Sequence, residues 1–132
     1  MLNAFNSTHS LSLKKKGEIG ELLVVKFLER NNYTILKQNY LCKEGEVDII
    51  AKRGDIIAFI EVKMRTETNF DLSEVITYGK QLRITRATHK YITTHSEIWN
   101  NFTYRFDVAL VELDNTNSPI TYIEDAFRDT LS

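Results

Sequence analysis

Two Val- and Ile-rich runs separated by a Gly-Asp pair dominate the hydrophobic pattern of the chain. They lie between Gly45 and Lys63, in the order Gly-Glu-Val-Asp-Ile-Ile-Ala-Lys-Arg-Gly-Asp-Ile-Ile-Ala-Phe-Ile-Glu-Val-Lys. Such runs, split by a two-residue loop containing glycine, predict an antiparallel hairpin. With Gly54 and Asp55 as the turn, Arg53 faces Ile56, Asp48 faces Glu61 and Glu46 faces Lys63. Side chains alternate with period two, so one face is predicted to carry Val47, Ile49, Ala51, Ile56, Ala58, Ile60 and Val62. The other starts with Ile50, Ile57 and Phe59 and ends in Glu46, Asp48, Glu61 and Lys63. Apolar residues on both faces predict a central hairpin rather than a solvated edge. Two carboxylates directly across a strand pair repel one another. The lysine alongside relieves part of this, and a divalent cation would relieve more.

The remaining pattern supplies the elements around this hairpin. Residues 1–9 read as a loose arm. From Ser10 to Arg30 the spacing is helical, with Ile19, Leu22, Leu23, Lys26 and Phe27 recurring at three and four residues, Ser10 or Ser12 as cap and Asn31-Asn32 as stop. Residues 33–41 have the composition of a strand and 42–45 that of a polar loop. After Lys63, residues 64–70 lack periodicity and predict a loop at the charged end of the hairpin, placed to meet a substrate. Asp71 with Glu74 resembles a capping box and opens a helix over 72–94. Gly79 weakens that helix by roughly 1 kcal/mol relative to alanine, which close packing there would explain. Residues 96–103 form a connection anchored by Trp99 and Phe102, 104–113 a strand, 114–119 a turn and 120–124 a short last strand, with Ala126 and Phe127 docking the tail. The order is α-β-β-β-α-β-β. A meander between two helices followed by a returning strand predicts an α/β sandwich with a mixed sheet.

Composition and charge narrow the function classes. A chain of 132 residues with 42% apolar and 27% charged residues suits one soluble domain with a real core. The net charge of -1 gives no global basic field, so nucleic-acid binding must come from a local patch. A single cysteine, Cys42, excludes an intrachain disulfide and a cysteine-rich zinc site, and reads as a partly buried filler. No run reaches transmembrane length, and the polar amino terminus lacks the apolar core of a signal peptide. A cytoplasmic protein with no membrane partner is expected. His9, His89 and His95 show no metal spacing and read as structural or surface residues. Arg105 and Asp107 share one face of their strand, bracing either the charged site or each other.

The candidate chemistry lies at the charged end of the hairpin. Asp48, followed after an interval by Glu61-Val62-Lys63, suits a hard cation, because Mg²⁺ needs few protein carboxylates and keeps several waters. The Val62 carbonyl offers a further oxygen. Lys63 is set to orient or help deprotonate a water, or to stabilise charge on a phosphoryl oxygen. Together these suit metal-assisted phosphodiester hydrolysis. On the second helix Lys80, Arg83, Arg86 and Lys90 fall within about a third of the circumference at about 100° per residue. That stripe reads equally as a solvated face and as a track for phosphates. Glu21 shares a helix side with Glu18 and on its own reads as an exposed helix glutamate.

Five segments taken together carry a family likeness. Gly17-Glu18-Ile19-Gly20-Glu21, Gly45-Glu46-Val47-Asp48-Ile49-Ile50, Phe59-Ile60-Glu61-Val62-Lys63-Met64-Arg65, Lys80-Gln81-Leu82-Arg83 and Arg105-Phe106-Asp107-Val108 resemble the YraN-like family. These are small bacterial proteins within the PD-(D/E)xK nuclease superfamily, and the likeness spans roughly Gly17 to Phe127. It implies a restriction-endonuclease-like three-layer sandwich, a central mixed sheet flanked by helices, similar in style to archaeal Holliday-junction resolvases. It further implies that Glu21, Asp48 and Glu61 bind Mg²⁺ or Mn²⁺, beside the Val62 carbonyl already noted, and that Lys63 is the catalytic lysine. Lys80 and Gln81 match the position of a supporting polar residue, beside Glu46 of the charged cluster. Arg65, Lys80, Arg83, Arg86 and Lys90 would then meet nucleic acid. Val47 stands where the superfamily name expects proline, and Met64 replaces a threonine; neither change touches a ligand.

Two functions are therefore expected to compete. One is a metal-dependent endonuclease acting on DNA, in particular branched or structured DNA. The other is a catalytically silent nucleic-acid-binding or adaptor module that keeps the nuclease fold. Resolvase likeness adds a homodimer, because symmetric cutting of two strands takes two sites.

Overall fold

The computed structural model describes residues 11–65, 76–95, 101–115 and 117–129. The amino-terminal arm with His9, the substrate loop from residue 66 onward, the Asp71–Glu74 capping box and Trp99 lie outside the described residues. Seven elements follow in the order α1 (Leu13–Arg30), β1 (Thr34–Cys42), β2 (Gly45–Arg53), β3 (Ile56–Met64), α2 (Tyr78–Thr94), β4 (Thr103–Val111) and β5 (Ile120–Phe127). The strands form one five-stranded sheet in sequence order. Among the described strands only β3 and β4 run parallel, joined through the segment that contains α2; the other neighbours are antiparallel. This is the α-β-β-β-α-β-β sandwich with a mixed sheet that the pattern predicts, and it agrees with a restriction-endonuclease-like architecture.

The two helices cover opposite faces of the sheet. Val24, Val25 and Leu28 of α1 pack on Ile49, Ala51, Ala58, Ile60, Ala109 and Val111. Ile84, Ala87 and Tyr91 of α2 pack on Ile50, Ile57, Phe59 and Phe106. The hairpin is thus dry on both sides, as its composition requires. Gly54 makes the turn at φ 62°, a left-handed conformation that glycine adopts without strain, and Arg53 pairs with Ile56.

Each helix is ended by its own short polar residues. The Ser12 hydroxyl accepts the Lys15 N–H at 3.2 Å to cap α1. Asn31 closes it through the Phe27 carbonyl, and Asn32 leaves at φ 69°. The buried stripe of α1 is Gly20, Val24, Val25 and Leu28, while Leu22 is exposed and Ile19, Leu23 and Phe27 pack at the margin. Helix α2 begins at Tyr78 rather than at residue 72, because Thr77 holds an extended backbone and caps it by accepting the Lys80 N–H. Ile76 just ahead is buried against Val108 and Leu110 instead of continuing a helix.

Two further expectations are corrected. The last strand runs on to Phe127, not 124. Asp125 adopts φ 51° as the pairing shifts register, and the Asp107 carboxylate fills the interruption by accepting the Asp125 N–H at 2.9 Å. Phe127 then stacks on Phe106 at 4.9 Å, docking the tail as expected. The close approach assigned to Gly79 belongs to Gly45. A Cβ at Gly79 would meet nothing within 4 Å, whereas one at Gly45 would overlap the backbone carbonyl of Arg83. Among the described residues no helix is long and apolar enough to cross a membrane.

The glycine contrast is testable by chemical denaturation. Gly45→Ala is expected to destabilise the fold by about 1–3 kcal/mol through overpacking. Gly79→Ala is expected to stabilise it by up to about 1 kcal/mol through helix propensity. Equal effects at the two positions would contradict this packing of α2 on β2.

Candidate functional site

The site exists because β2 and β3 part company. Their ladder runs from Arg53 opposite Ile56 to Ile49 opposite Ile60 and goes no further. Beyond that point β3 stays with β4 as far as Met64 opposite Val111, while β2 follows β1 to the Cys42–Gly45 pair. The departure coincides with an inversion of faces. Alternation predicts Val47 on the same side as Ile49 and Ala51, but Val47 is buried with Ile50, Phe59 and Ile84 beneath α2. On the facing strand Asn39 takes φ 53°, between the pairs Gln38–Ile49 and Tyr40–Val47. A left-handed residue in a strand turns the following side chains over, and asparagine tolerates it better than most. β1 and β2 therefore turn together, and a gap opens beside β3.

Asp48 occupies that gap. Its Oδ2 accepts the Val62 N–H at 2.8 Å, a side chain standing where a strand backbone would otherwise pair. The turn register set Asp48 across from Glu61, and the two remain neighbours: burial, then the charge of Glu61, push the Asp48 carboxyl up to about 7. The Val62 N–H works against that rise. Glu61 is only 5% exposed, and its Oε2 is held by the ammonium of Lys80 from the first turn of α2.

Helix α1 supplies the third carboxylate. Glu21 is raised above its ordinary value, first by burial and then by the charge of Asp48, while a hydrogen bond from the Asn39 side chain opposes the rise. The residue that lets β1 twist thus also orients Glu21. Glu21, Glu46, Asp48, Glu61, Lys63 and Lys80 line one open cavity of about 430 Å³, together with Val62. Gly17 and Leu13, one and two helical turns ahead of Glu21, form its wall on the α1 side.

Other candidates lie elsewhere. Gln81 donates to the Ile76 carbonyl at 3.0 Å and braces the start of α2. Arg83 lines a small cleft beside the cavity with Glu46, Glu61 and Lys80, and Arg86 and Lys90 are exposed farther along the helix. Arg65 ties the end of β3 to β4 through its N–H and the Val111 carbonyl. Arg105 and Asp107 brace each other, with bonds of 2.8 and 2.7 Å, and Tyr33 and Tyr122 complete that network away from the cavity. His89 meets Asp129 at 2.6 Å and His95 stacks on Tyr91, structural roles as expected. Cys42 is a partly buried free thiol. Asn39 is the site residue that pattern reading missed. Its one signal is an asparagine in the middle of a strand-like run.

In donor chemistry the Asp48–Glu61 pair and the Val62 carbonyl suit a hard divalent cation completed by waters. Among the described residues no group of three or more His, Cys, Asp or Glu side chains stands close enough to hold a metal together. Glu21, on the cavity wall, would reach such an ion through water or by a side-chain movement.

The raised Asp48 carboxyl has a consequence for stability. In the folded protein it keeps its proton to about pH 7, while unfolded it ionises near 3.8. This contribution is fully present below pH 3.8, falls as pH rises through the interval, and is lost above pH 7. Asp48→Asn is therefore expected to stabilise the metal-free protein at pH 8 by about 2–4 kcal/mol and to change little at pH 3.5. Thermal melts at the two pH values check it, and an equal effect at both would contradict the shift.

The comparisons with known proteins cover this whole arrangement. The model of the uncharacterised protein family UPF0102 matches residues 20–111. The UPF0102 protein of Caldicellulosiruptor bescii is 41% identical over 120 residues, covering 89% of this chain and 100% of the relative. That of Clostridium acetobutylicum is 42% identical over 118 residues, 87% of this chain and 95% of the relative. That of Syntrophus aciditrophicus is 38% identical over 125 residues and covers 94% of each chain. The matched span holds Glu21, Asp48, Glu61, Lys63 and Lys80, and the YraN-like resemblance stands on it: the chain belongs to the uncharacterised protein family UPF0102.

Proposed function

We propose that the protein is a Mg²⁺- or Mn²⁺-dependent endonuclease that hydrolyses phosphodiester bonds in DNA, with branched or structured DNA as the favoured substrate. The single observation that carries it is the pair of adjacent carboxyl groups, half-buried Asp48 and buried Glu61, in the gap between parted strands. A pair so placed is destabilising for the fold alone and is what a hard cation needs.

In this role the Asp48 and Glu61 carboxylates and the Val62 carbonyl hold the ion, and Glu21, oriented by Asn39, supports it from the α1 side. The bound ion supplies Lewis-acid chemistry, lowering the pKa of a water and polarising the phosphate. Lys63, in the same cavity, hydrogen-bonds a phosphoryl oxygen or orients the attacking water. Arg83, Arg86 and Lys90 on the exposed side of α2 take neighbouring backbone phosphates, which bind without regard to sequence. The likeness to resolvases extends this to two chains acting on the two strands of one junction.

Linear, flap, forked and four-way DNA, each with Mg²⁺ or Mn²⁺, test the activity. Cleavage of at least one substrate is expected, with Lys63→Ala lowering the rate by about 100-fold or more while binding persists. Replacing Arg83, Arg86 or Lys90 by alanine should each reduce the salt dependence of binding by about one counterion. Salt-sensitive binding with no product on any substrate in either metal would overturn the enzyme and leave the adaptor module.

A further inference from the structure

The ammonium of Lys80 already holds the Glu61 carboxylate, and this bears on how any other cation could enter. Glu61 is 5% exposed, and a carboxylate so far from water needs a charged partner. Helix α2 delivers that partner by construction. Thr77 caps the helix and takes the Lys80 N–H, fixing the lysine in the first turn and over the end of β3. The side chain of Lys80 is itself 39% exposed, so its ammonium reaches a buried acid from a solvated stem. A divalent ion bound between Asp48 and Glu61 would meet this ammonium at contact distance, where like charges repel strongly in a partly desolvated cleft.

We propose that Lys80 is the resident cation of the Asp48–Glu61 site, and that a divalent ion enters by exchange, displacing the Lys80 ammonium from Glu61 and releasing it to bind a nucleic-acid phosphate. The exchange rests on Asp48 and Glu61 forming a divalent-cation site, as proposed above. The displaced ammonium can swing into solvent on the side of α2, because its side chain is already 39% exposed. Lys80 and Arg83 line the same small cleft beside the main cavity, and Arg83 and Arg86 are exposed on that helix. A released Lys80 therefore joins an existing row of cations. Metal loading then raises the affinity for nucleic acid, and nucleic acid raises the affinity for the metal by the same factor, because coupling between two ligands is reciprocal. Without metal, Lys80 keeps Glu61 compensated and the fold tolerates this buried acid.

A lysine that merely stabilised the fold, or that helped to hold the ion, would leave metal affinity unchanged or weakened on removal. Exchange predicts the opposite sign. Calorimetric titration with Mn²⁺ alone, at fixed pH and salt, is made on the wild-type protein, Lys80→Met and Arg86→Met. The last controls for the loss of one positive charge on the same helix. The dissociation constant is expected to fall by about tenfold or more in Lys80→Met and by less than about twofold in Arg86→Met. Wild-type binding that Lys80→Met equals or weakens overturns the exchange and leaves the cation site standing. No Mn²⁺ binding by the wild-type protein or by Lys80→Met overturns both. If Lys80→Met does not fold, the wild-type protein decides through the ¹⁵N signal of its lysine ammonium groups. The Lys80 signal is expected to be protected from solvent exchange without metal and to lose that protection as Mg²⁺ saturates the site. Protection that survives saturation overturns the exchange.

Discussion

Asp48, half-buried at the edge of an open cavity, and Glu61, buried, sit side by side, and the rest of the structure accommodates that fact. Two carboxylates in such a place cannot both be ionised and unpartnered, because burial and mutual repulsion act in the same direction. The protein relieves the conflict locally. The Asp48 carboxyl is pushed up to about 7, the Val62 N–H donates to it, and Lys80 holds Glu61. On a continuous β-ladder the Val62 N–H would pair with a neighbouring strand instead. The parting of β2 from β3, the left-handed Asn39 and the inverted Val47 are what make the Val62 N–H and the cavity accessible.

A fully buried aspartate shows what a purely structural solution looks like. Asp107 is fully buried, and it accepts two bonds from Arg105, one from the Tyr122 hydroxyl and one from the Asp125 N–H. Arg105 holds its proton more firmly than usual through that pairing, and Tyr122 is raised by burial and by the charge of Asp107. Its donors converge on one charge and close the network. Asp48 instead faces another acid and an open cavity. One aspartate holds the β4–β5 irregularity together; the other is placed where an added cation would be welcome.

Much of this was readable in the residues, for local reasons. Gly54-Asp55 allows a tight turn, and the count from that turn sets Asp48 across from Glu61 with no tertiary information. The apolar residues on both faces of the hairpin foretold its central position. Strict alternation failed at Val47, because its premise is a regular strand and a left-handed residue on the partner breaks it. Glu21 entered through family likeness alone. Nothing in the helical pattern distinguishes a glutamate that overhangs a cavity from one in solvent until α1 is docked on the sheet. The register shift at Asp125 depends on a carboxylate from a different strand, so the polar end of the last strand read as its terminus. Likewise a glycine's reason is invisible without its neighbour, and Gly45 rather than Gly79 proved to face a backbone.

The central claim is that the gap between β2 and β3 is a place for a divalent cation, and direct observation of an ion tests it best. Anomalous diffraction from crystals of the protein soaked in Mn²⁺ is expected to show a peak between the carboxylates of Asp48 and Glu61, within coordination distance of the Val62 carbonyl. A Mn²⁺-soaked crystal with no peak there, or with Mn²⁺ bound only at sites away from this cavity, would contradict the account.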